Sequence, residues 1–391
     1  MDAQSRGILM LLNSAMTGQK ATLPSDFDLE QAYLQLRRHQ ILALGYLGAV
    51  QCGVDKQMGV MRTLFQEYCR CLQHSENQMS AVKKVCEAFD RAGVEYMPLK
   101  GCNIKTLYPS PELRTMGDAD ILIRTEQYEI IRPIMLELGF TEVTESDHEL
   151  IWRNDALLLE LHKRIIPSYN RDYYRYFGDG WRLATVQQGT RFAMSREDEF
   201  VYLFTHFAKH YRDGGIGIRH LLDLHVYLCA NSDLDVAYVE RELDKLQLGV
   251  FFGHIRKTME ACFCGKPWDE RTEFIADHIF ASGAYGTDAM KRVSLVVRQS
   301  KQTGSVGKAR MAQLVSLIFL PYNAMADKYP LLHKLPILLP VFWGVRAVNV
   351  VISKHKKMRR FIKSFNDASV EKAELYEQSL NYVGLEFAFE E

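Results

Sequence analysis

The periodicity of the sequence changes twice, and these changes constrain the fold more than any other feature. Residues 1 to about 92 place apolar residues three and four apart, as in LEQAYLQLRRHQILALGYL, which predicts helices. Residues 93 to about 166 instead carry short apolar runs bounded by turn residues, which predicts most of the strands. From about residue 195 the helical spacing returns. The sequence therefore predicts an α+β fold in which a small mixed sheet has flanking helices.

The same changes give the predicted domains. They are an N-terminal helical region over 1–92, a core over 93–170 and a C-terminal, mostly helical domain over 171–391. A chain of 391 residues that is 47% hydrophobic can bury one large core or two to three ordinary ones.

Within the core, local signals place the individual elements. VEYMPLK is a predicted strand, and a short helix is expected to begin at Gly101. DADILI is the next strand, and TEQYEIIRPIMLELG is a helix with Thr125 as its N-cap and Gly139 just past its end. LIWR and ALLLELH, separated by Asn154 and Asp155, are expected to form a hairpin.

Charge and cysteine usage exclude several classes of protein. Lysine plus arginine equals aspartate plus glutamate at 48 each, so the net charge gives no sign of a long nucleic-acid footprint. The eight cysteines contain no CxxC pair, which disfavours a zinc site built on cysteine and favours reduced thiols. The N-terminus has no cleavage-like site and is predicted to be a first helix. We expect a cytoplasmic protein.

One apolar segment raises the question of a membrane. Residues 335–353 are mostly apolar and precede the basic run KHKKMRRFIK, but Arg346 and two prolines interrupt them. A spanning helix needs roughly 20 mostly uncharged residues. No integral membrane segment is therefore expected; a buried helix is favoured, and peripheral membrane contact of 335–363 is the alternative.

Two aspartates lie within an otherwise apolar strand. Side chains alternate along a strand, so Asp118 and Asp120 share one face while Ala119, Ile121 and Ile123 share the other. Two carboxylates this close repel each other, and a divalent cation removes the repulsion. Mg²⁺ suits oxygen ligands and keeps coordination positions open for phosphates.

A third carboxylate is predicted in ALLLELHKR. The strand pattern puts Glu160 and His162 on one face and leucines on the other. A buried glutamate in an apolar strand needs a partner or a metal ion, so Glu160 is the predicted third ligand. Asp147 and Glu149 are alternatives in a less strand-like context.

Upstream residues are suited to bind phosphate. Lys100 and Gly101 stand at a strand end before a predicted helix, and glycine permits close approach of a phosphate. Arg114 can offer a planar fork to another phosphate oxygen. Together with the carboxylates they predict a metal and triphosphate site.

His162 and four residues further along are candidate cleft-lining groups. His206 and His210 lie four apart on one predicted helix face, where a structural or substrate-lining role is favoured over metal binding. Arg219 and Asp223 are also four apart and are expected to form an intrahelical or domain-docking pair.

The run LKG…LYP…R…GDADILI, followed by the strand with Glu160, resembles the nucleotidyltransferase superfamily related to DNA polymerase beta. It is most similar to a bacterial family described only as uncharacterised nucleotidyltransferases, and the resemblance is strongest over 95–165. It implies a polymerase beta-like core in which Gly101 belongs to the phosphate loop. It also implies two Mg²⁺ ions, with Mn²⁺ as a substitute, bound by Asp118, Asp120 and Glu160.

The implied activity is transfer of NMP from an NTP to a hydroxyl acceptor, with release of pyrophosphate. The acceptor is left open among a small molecule, a sugar, a protein and a tRNA. The chain has Gly101 and Cys102 where the superfamily usually has Gly-Gly or Gly-Ser. The Lys-Gly pair is similar to that of abortive-infection toxins, which gives a toxin-like enzyme acting on tRNA or protein as one alternative. A non-catalytic nucleotide-binding scaffold is the other.

Overall fold

The computed structural model describes residues 1–284, 286–303, 319–320, 322–326, 329, 331–353 and 370–386. The chain divides into two compact units. The larger contains Met1–Lys209 and Ile216–Tyr285, and the smaller contains His210–Gly215 and Gly286–Phe387.

Helices precede the sheet, as the apolar spacing predicts. They are α1 (Ala3–Thr17), α2 (Leu29–Arg38), α3 (Leu42–Cys52) and α4 (Gly59–Ala92). The Asp2 side chain caps α1 by accepting a hydrogen bond from the Ser5 N–H. Gly93 ends α4 with a φ of 71°, a left-handed conformation that glycine adopts without strain.

Within the described residues, seven strands form one mixed sheet in the order β3-β4-β5-β2-β1-β7-β6. They are β1 (Tyr96–Leu99), β2 (Ala119–Ile123), β3 (Thr141–Glu145), β4 (Glu149–Arg153), β5 (Leu158–His162), β6 (Thr185–Gln188) and β7 (Arg191–Ala193). The β2–β5 and β1–β7 pairs are parallel, and the others are antiparallel. The α+β prediction and the hairpin at Asn154 are confirmed. The predicted domain bounds remain predictions, and β6 and β7 extend the sheet past residue 170.

Short helices connect these strands: α5 (Gly101–Ile104), α6 (Tyr128–Glu137) and α7 (Arg171–Phe177). The helix start at Gly101 is confirmed, but Thr125 as the N-cap of the next helix is wrong. Thr125–Gln127 forms a 3-10 turn, and α6 begins only at Tyr128. The Gln127 side chain accepts a hydrogen bond from the Glu95 N–H at 2.8 Å, which ties that turn to the start of β1.

One face of the sheet packs against α4 and α6. Ile121 of β2 and Leu161 of β5 are fully buried there, against Val85 and Phe89 of α4 and Ile131 of α6. Their burial provides the hydrophobic stabilisation of this layer. The alternate residues of β2 and β5 point to the opposite face, which carries the charged groups.

The chain returns to helix after the sheet, as predicted for the described residues. The helices are α8 (Arg196–Arg212), α9 (Ile218–Ala230), α10 (Val236–Lys245), α11 (Gly249–Phe263), α12 (Glu270–Ser282), α13 (Asp288–Thr303), α14 (Tyr322–Ala326), α15 (Leu331–Lys334), α16 (Leu339–Ser353) and α17 (Val370–Val383). Among the described residues, no helix has both the length and the apolar character to cross a membrane. Of the segment considered for peripheral membrane contact, residues 354–363 lie outside the described residues.

Candidate active site

Two carboxylates from neighbouring strands stand side by side on the charged face of the sheet. Asp120 of β2 and Glu160 of β5 are partners in the parallel register. Asp118 lies at the N-terminal edge of β2, two residues before Asp120, and is half-buried. The sequence prediction that Asp120 and Glu160 come together is therefore matched by the strand pairing.

Asp120 is the most enclosed of these carboxylates, with only 5% of its surface exposed. Its Oδ1 accepts hydrogen bonds from Lys100 Nζ at 2.8 Å and from His162 Nε2 at 2.7 Å. Burial alone would raise the pKa of Asp120, but the Lys100 ammonium and the His162 hydrogen bond outweigh it and hold the pKa well below its usual range. Asp120 is therefore ionised at neutral pH.

Lys100 reaches Asp120 from the junction of β1 and α5. Its backbone has a φ of 44°, in the region that glycine favours, so the fold holds this residue in a strained conformation. The next residue, Gly101, has no room for a side chain, since a Cβ there would lie 2.9 Å from Arg114 Nη1 and 3.2 Å from Met116 Sδ. The junction thus fixes where the Lys100 side chain begins.

At the other two carboxylates the neighbouring positive charges are outweighed, and the pKa rises. Burial, followed by the charges of Asp120, Asp118 and Glu149, raises the pKa of Glu160 to about 8. Burial and the Asp120 charge also raise the pKa of Asp118, against the opposing effects of Lys100 and Arg219. The cluster carries more negative charge than its protein neighbours offset, and a cation would relieve that excess.

Two of the three predicted ligands, Asp120 and Glu160, belong with His162 to a group that could hold a metal ion. Asp120, Glu160 and His162 each offer one ligand atom, and these atoms lie within 4.8 Å of one another. Carboxylate oxygens are the ligands that Mg²⁺ prefers. His162 Nε2 also lies 3.5 Å from Glu160 Oε2, so the predicted cleft-lining histidine is part of this cluster.

Arg114 lies in a buried ion pair. Its Nε and Nη2 each donate to Asp223 of α9 at 3.0 Å, and the Tyr108 hydroxyl donates to the same carboxylate at 2.8 Å. This contact links the loop before β2 to α9, whereas the sequence predicted Arg219 as the partner of Asp223. The role of Arg114 as a phosphate ligand stays a prediction, and two of its nitrogens are already bonded to Asp223.

The other predicted cleft residues lie on α8 and α9. Arg219 Nη1 donates to Gln40 Oε1 at 2.7 Å, between α2 and α3. It also donates at 2.9 Å to the carbonyl of Thr115, which lies in the loop before β2. His206 and His210 lie on α8, and His210 belongs to the smaller unit. Among the described residues, neither histidine belongs to a group able to hold a metal ion.

Three nearby residues were not predicted as members of the site. Tyr202 of α8 is fully buried; burial raises its pKa to about 12, and the neighbouring Lys100 ammonium opposes that shift. Glu149, weighed only as an alternative third carboxylate, is the register partner of His162. The His148 ring centroid lies 5.0 Å from that of His162, and burial lowers the pKa of His148 to about 3. Of these three residues, only Glu149 lies on a strand, at the start of β4, where strand alternation could have indicated its direction.

The sheet thus presents adjacent acidic side chains beside a strand-to-helix junction that carries lysine and glycine. The chain belongs to the family described as uncharacterised nucleotidyltransferase, whose family model matches residues 25–263. This confirms the resemblance identified from the sequence and assigns the chain to a class of transferases. No curated protein matches the chain.

A solved structure is also similar. It is the solution structure of the antibiotic-resistance factor ANT(2″)-Ia, which is described as having substrate-regulated conformation dynamics. The similarity covers 48% of this chain and 97% of that one, at 15% sequence identity and a TM-score of 0.32. A TM-score this low gives no support to a particular substrate.

Proposed function

We propose that this protein transfers NMP from an NTP to a hydroxyl acceptor and releases pyrophosphate, with Mg²⁺ bound by Asp118, Asp120 and Glu160. The observation that carries this proposal is the parallel register of β2 and β5. It sets Asp120 beside Glu160 on the sheet face opposite the hydrophobic core. A bound Mg²⁺ would activate the acceptor hydroxyl and neutralise the leaving pyrophosphate.

The surrounding residues have distinct roles in this proposal. His162 donates to Asp120 and fixes the orientation of that carboxylate. Lys100, at 2.8 Å from Asp120, supplies a positive charge that can turn toward a phosphate oxygen of the NTP. Gly101, which the family resemblance puts in the phosphate loop, has no side chain and so lets Arg114 and Met116 pack against the junction beside Lys100. The acceptor hydroxyl would lose its proton to solvent, its oxygen would attack the α-phosphorus, and the bond from that phosphorus to the oxygen bridging to the β-phosphate would break, so that pyrophosphate leaves.

Titration of nucleotides tests the donor half of the proposal. ATP, GTP, CTP and UTP are titrated in turn into the purified protein, with and without Mg²⁺, and the heat of binding is measured. We expect one or more of them to bind only with Mg²⁺, and Asp118→Ala to abolish this binding. Asp155→Ala, at an exposed aspartate of the β4–β5 turn, is the matched control and should bind as the parent does. Absence of any nucleotide binding to folded protein would refute the proposal.

Transfer of radiolabelled NMP from the NTP to an acceptor tests the catalytic half of the proposal. Candidate acceptors are supplied as separate pools of tRNA, protein and small hydroxyl compounds, and radiolabelled NMP is followed into each. Incorporation into one pool, lost in Asp118→Ala, identifies the acceptor class. Tight Mg²⁺-dependent NTP binding without transfer to any pool would instead favour the non-catalytic scaffold. Incorporation into tRNA or protein, together with growth arrest on expression that Asp118→Ala relieves, would favour the toxin-like enzyme.

A further inference from the structure

A second group of metal-ligating side chains lies beside the carboxylate cluster. It consists of His148, Glu149 and His162, whose ligand atoms all lie within 4.8 Å of one another. Glu149 and His162 face each other across the β4–β5 pair, and His148 lies in the turn immediately before β4. The group is thus built on two paired strands and the turn that leads into one of them.

Two distances within this group are close to those between the ligands of a tetrahedral metal ion. Glu149 Oε2 lies 3.5 Å from His148 Nε2 and 3.7 Å from His162 Nδ1. These separations are long for hydrogen bonds, which favour 2.7 to 3.2 Å. Two ligands that each lie about 2.0 to 2.1 Å from a tetrahedral Zn²⁺ are about 3.4 Å apart. The two nitrogens therefore converge on one carboxylate oxygen at the spacing that a shared ion would give.

The hydrogen bonding of His162 supplies a second, independent observation. The residue is only 1% exposed, and its Nδ1, which faces Glu149, has no hydrogen-bond partner. A buried polar atom without a partner is costly, and in native structures it usually marks a functional feature or a bound water or ion. His148 Nδ1 is likewise buried without a partner, so the ring is held by no hydrogen bond at that nitrogen.

The other side of His162 has the contact expected of a metal ligand. Its Nε2 lies 2.7 Å from Asp120 Oδ1. Metal-binding histidines almost always donate their second ring N–H to a carboxylate or carbonyl, which fixes the tautomer and the orientation of the ring. With Nε2 donating to Asp120, the Nδ1 lone pair points toward Glu149 and His148.

We propose that His148, Glu149 and His162 bind a transition-metal ion of the zinc class, at a site separate from the carboxylate site formed with Asp118. Two imidazoles and one carboxylate suit Zn²⁺ better than Mg²⁺ and leave a fourth position for water or another ligand. The two sites meet at His162, whose Nε2 lies 2.7 Å from Asp120 Oδ1 and 3.5 Å from Glu160 Oε2. A zinc-class ion on Nδ1 would fix His162 and thereby the Asp120 carboxylate.

Zinc titration of the full-length protein tests this site. The protein is stripped with a chelator, and Zn²⁺ is added without Mg²⁺ or nucleotide, against a competing chromogenic chelator. We expect a tight site in the parent protein and at least about a hundredfold weaker affinity in His148→Ala and in Glu149→Gln, because removing a ligand costs more than removing an outer hydrogen bond. Co²⁺ in place of Zn²⁺ should give a tetrahedral absorption spectrum that both variants lose.

Three controls make the outcome decisive. His74→Ala removes an exposed histidine of α4 and should bind Zn²⁺ as the parent does. Asp118→Ala should also retain the zinc site, because Asp118 is not among its ligands. Thermal unfolding of each variant verifies that it is folded, and a folded Glu149→Gln suffices if His148→Ala fails to fold.

Two results would overturn the proposal. One is equal zinc affinity in the parent, His148→Ala and Glu149→Gln. The other is loss of zinc binding in Asp118→Ala but not in His148→Ala, which would place the ion on the carboxylates. The zinc titration contains no nucleotide, so its result is independent of NTP binding. Zinc binding can be absent while NTP binds, and zinc can bind while NTP binding is absent.

Discussion

The two faces of strands β2 and β5 are built from alternate residues of the same short segments, and each is buried in a different way. Ile121 and Leu161 are completely buried by packing against α4 and α6. Asp120 and His162, at 5% and 1% exposure, are almost as buried, but their contacts are ion pairs and hydrogen bonds. Burial alone therefore does not separate the structural residues of this sheet from its chemical ones.

The difference lies in what each face loses when a partner is removed. On the apolar face a shortened side chain loses its own contacts and leaves a small cavity. On the charged face, removing one partner leaves a buried charge uncompensated, which costs more than the pair itself contributes. Substitutions on the charged face should therefore lower both stability and activity, whereas those on the apolar face should lower stability alone.

The largest effect is expected for Asp120→Asn. The variant keeps the shape of the side chain and removes its charge, so NMP transfer should fall by about a thousandfold, the scale of losing one preorganised electrostatic contact. Pyrophosphate release per folded molecule measures this, with Asp155→Asn at the exposed β4–β5 turn as the control. Activity within tenfold of the parent would remove Asp120 from the proposed mechanism.

Arg114→Met should lower the free energy of unfolding by about 4 kcal/mol, because it leaves the buried Asp223 carboxylate without its cation. The variant tests whether the buried Arg114–Asp223 ion pair contributes to stability alone or also to NTP binding. The double variant Arg114→Met/Asp223→Leu should recover much of that stability in denaturant unfolding. If the double variant is stable but its KM for NTP is greatly raised, Arg114 also contacts phosphate, as the sequence predicted.

The sequence identified the acidic face well because strand alternation is a local rule. It placed Asp120 on the face opposite Ile121 and Glu160 on the face opposite Leu161, and the parallel register of the two strands brings Asp120 beside Glu160. It could not identify the partner of Arg114, because Asp223 lies 109 residues away and no local pattern specifies that contact. The hairpin of β6 and β7 was missed because its strands are short and mostly exposed, with only Gly189 at the turn as a signal.

A buried polar residue outside the sheet, His39, differs from Asp120 in its charge state. His39, at the end of α2, is fully buried; its Nδ1 accepts from the Ile218 N–H at 3.3 Å, so its Nε2 donates to the Phe280 carbonyl at 3.2 Å. Burial lowers the pKa of His39 to about 4. A proton on Nδ1 would face another N–H, so this residue, unlike Asp120, stays neutral.

The consequence is a loss of stability in acid. Below about pH 6.5 the unfolded chain binds a proton at this histidine while the native chain does not until about pH 4, so acidification over that range favours unfolding, by about 3 kcal/mol in all. Denaturant unfolding between pH 7 and 4 measures it. In His39→Gln the free energy of unfolding should fall less steeply with acidification than in His74→Gln. Part of the pH dependence should remain in His39→Gln, because burial also lowers the pKa of His278 to about 4. Equal slopes in the two variants would contradict the assignment.

The smallest effect, and the sharpest test of the two faces, is expected for Ile121→Val. Ile121 is adjacent to Asp120 in the chain but points into the core, with 0% of its surface exposed. Removing one methylene should lower the free energy of unfolding by about 1 kcal/mol and leave NMP transfer per folded molecule unchanged. The neighbouring substitution Asp120→Asn should instead cause a large loss of NMP transfer. If Ile121→Val lowers activity as strongly, the strand itself moves when its core contact is trimmed, and the two faces do not act independently.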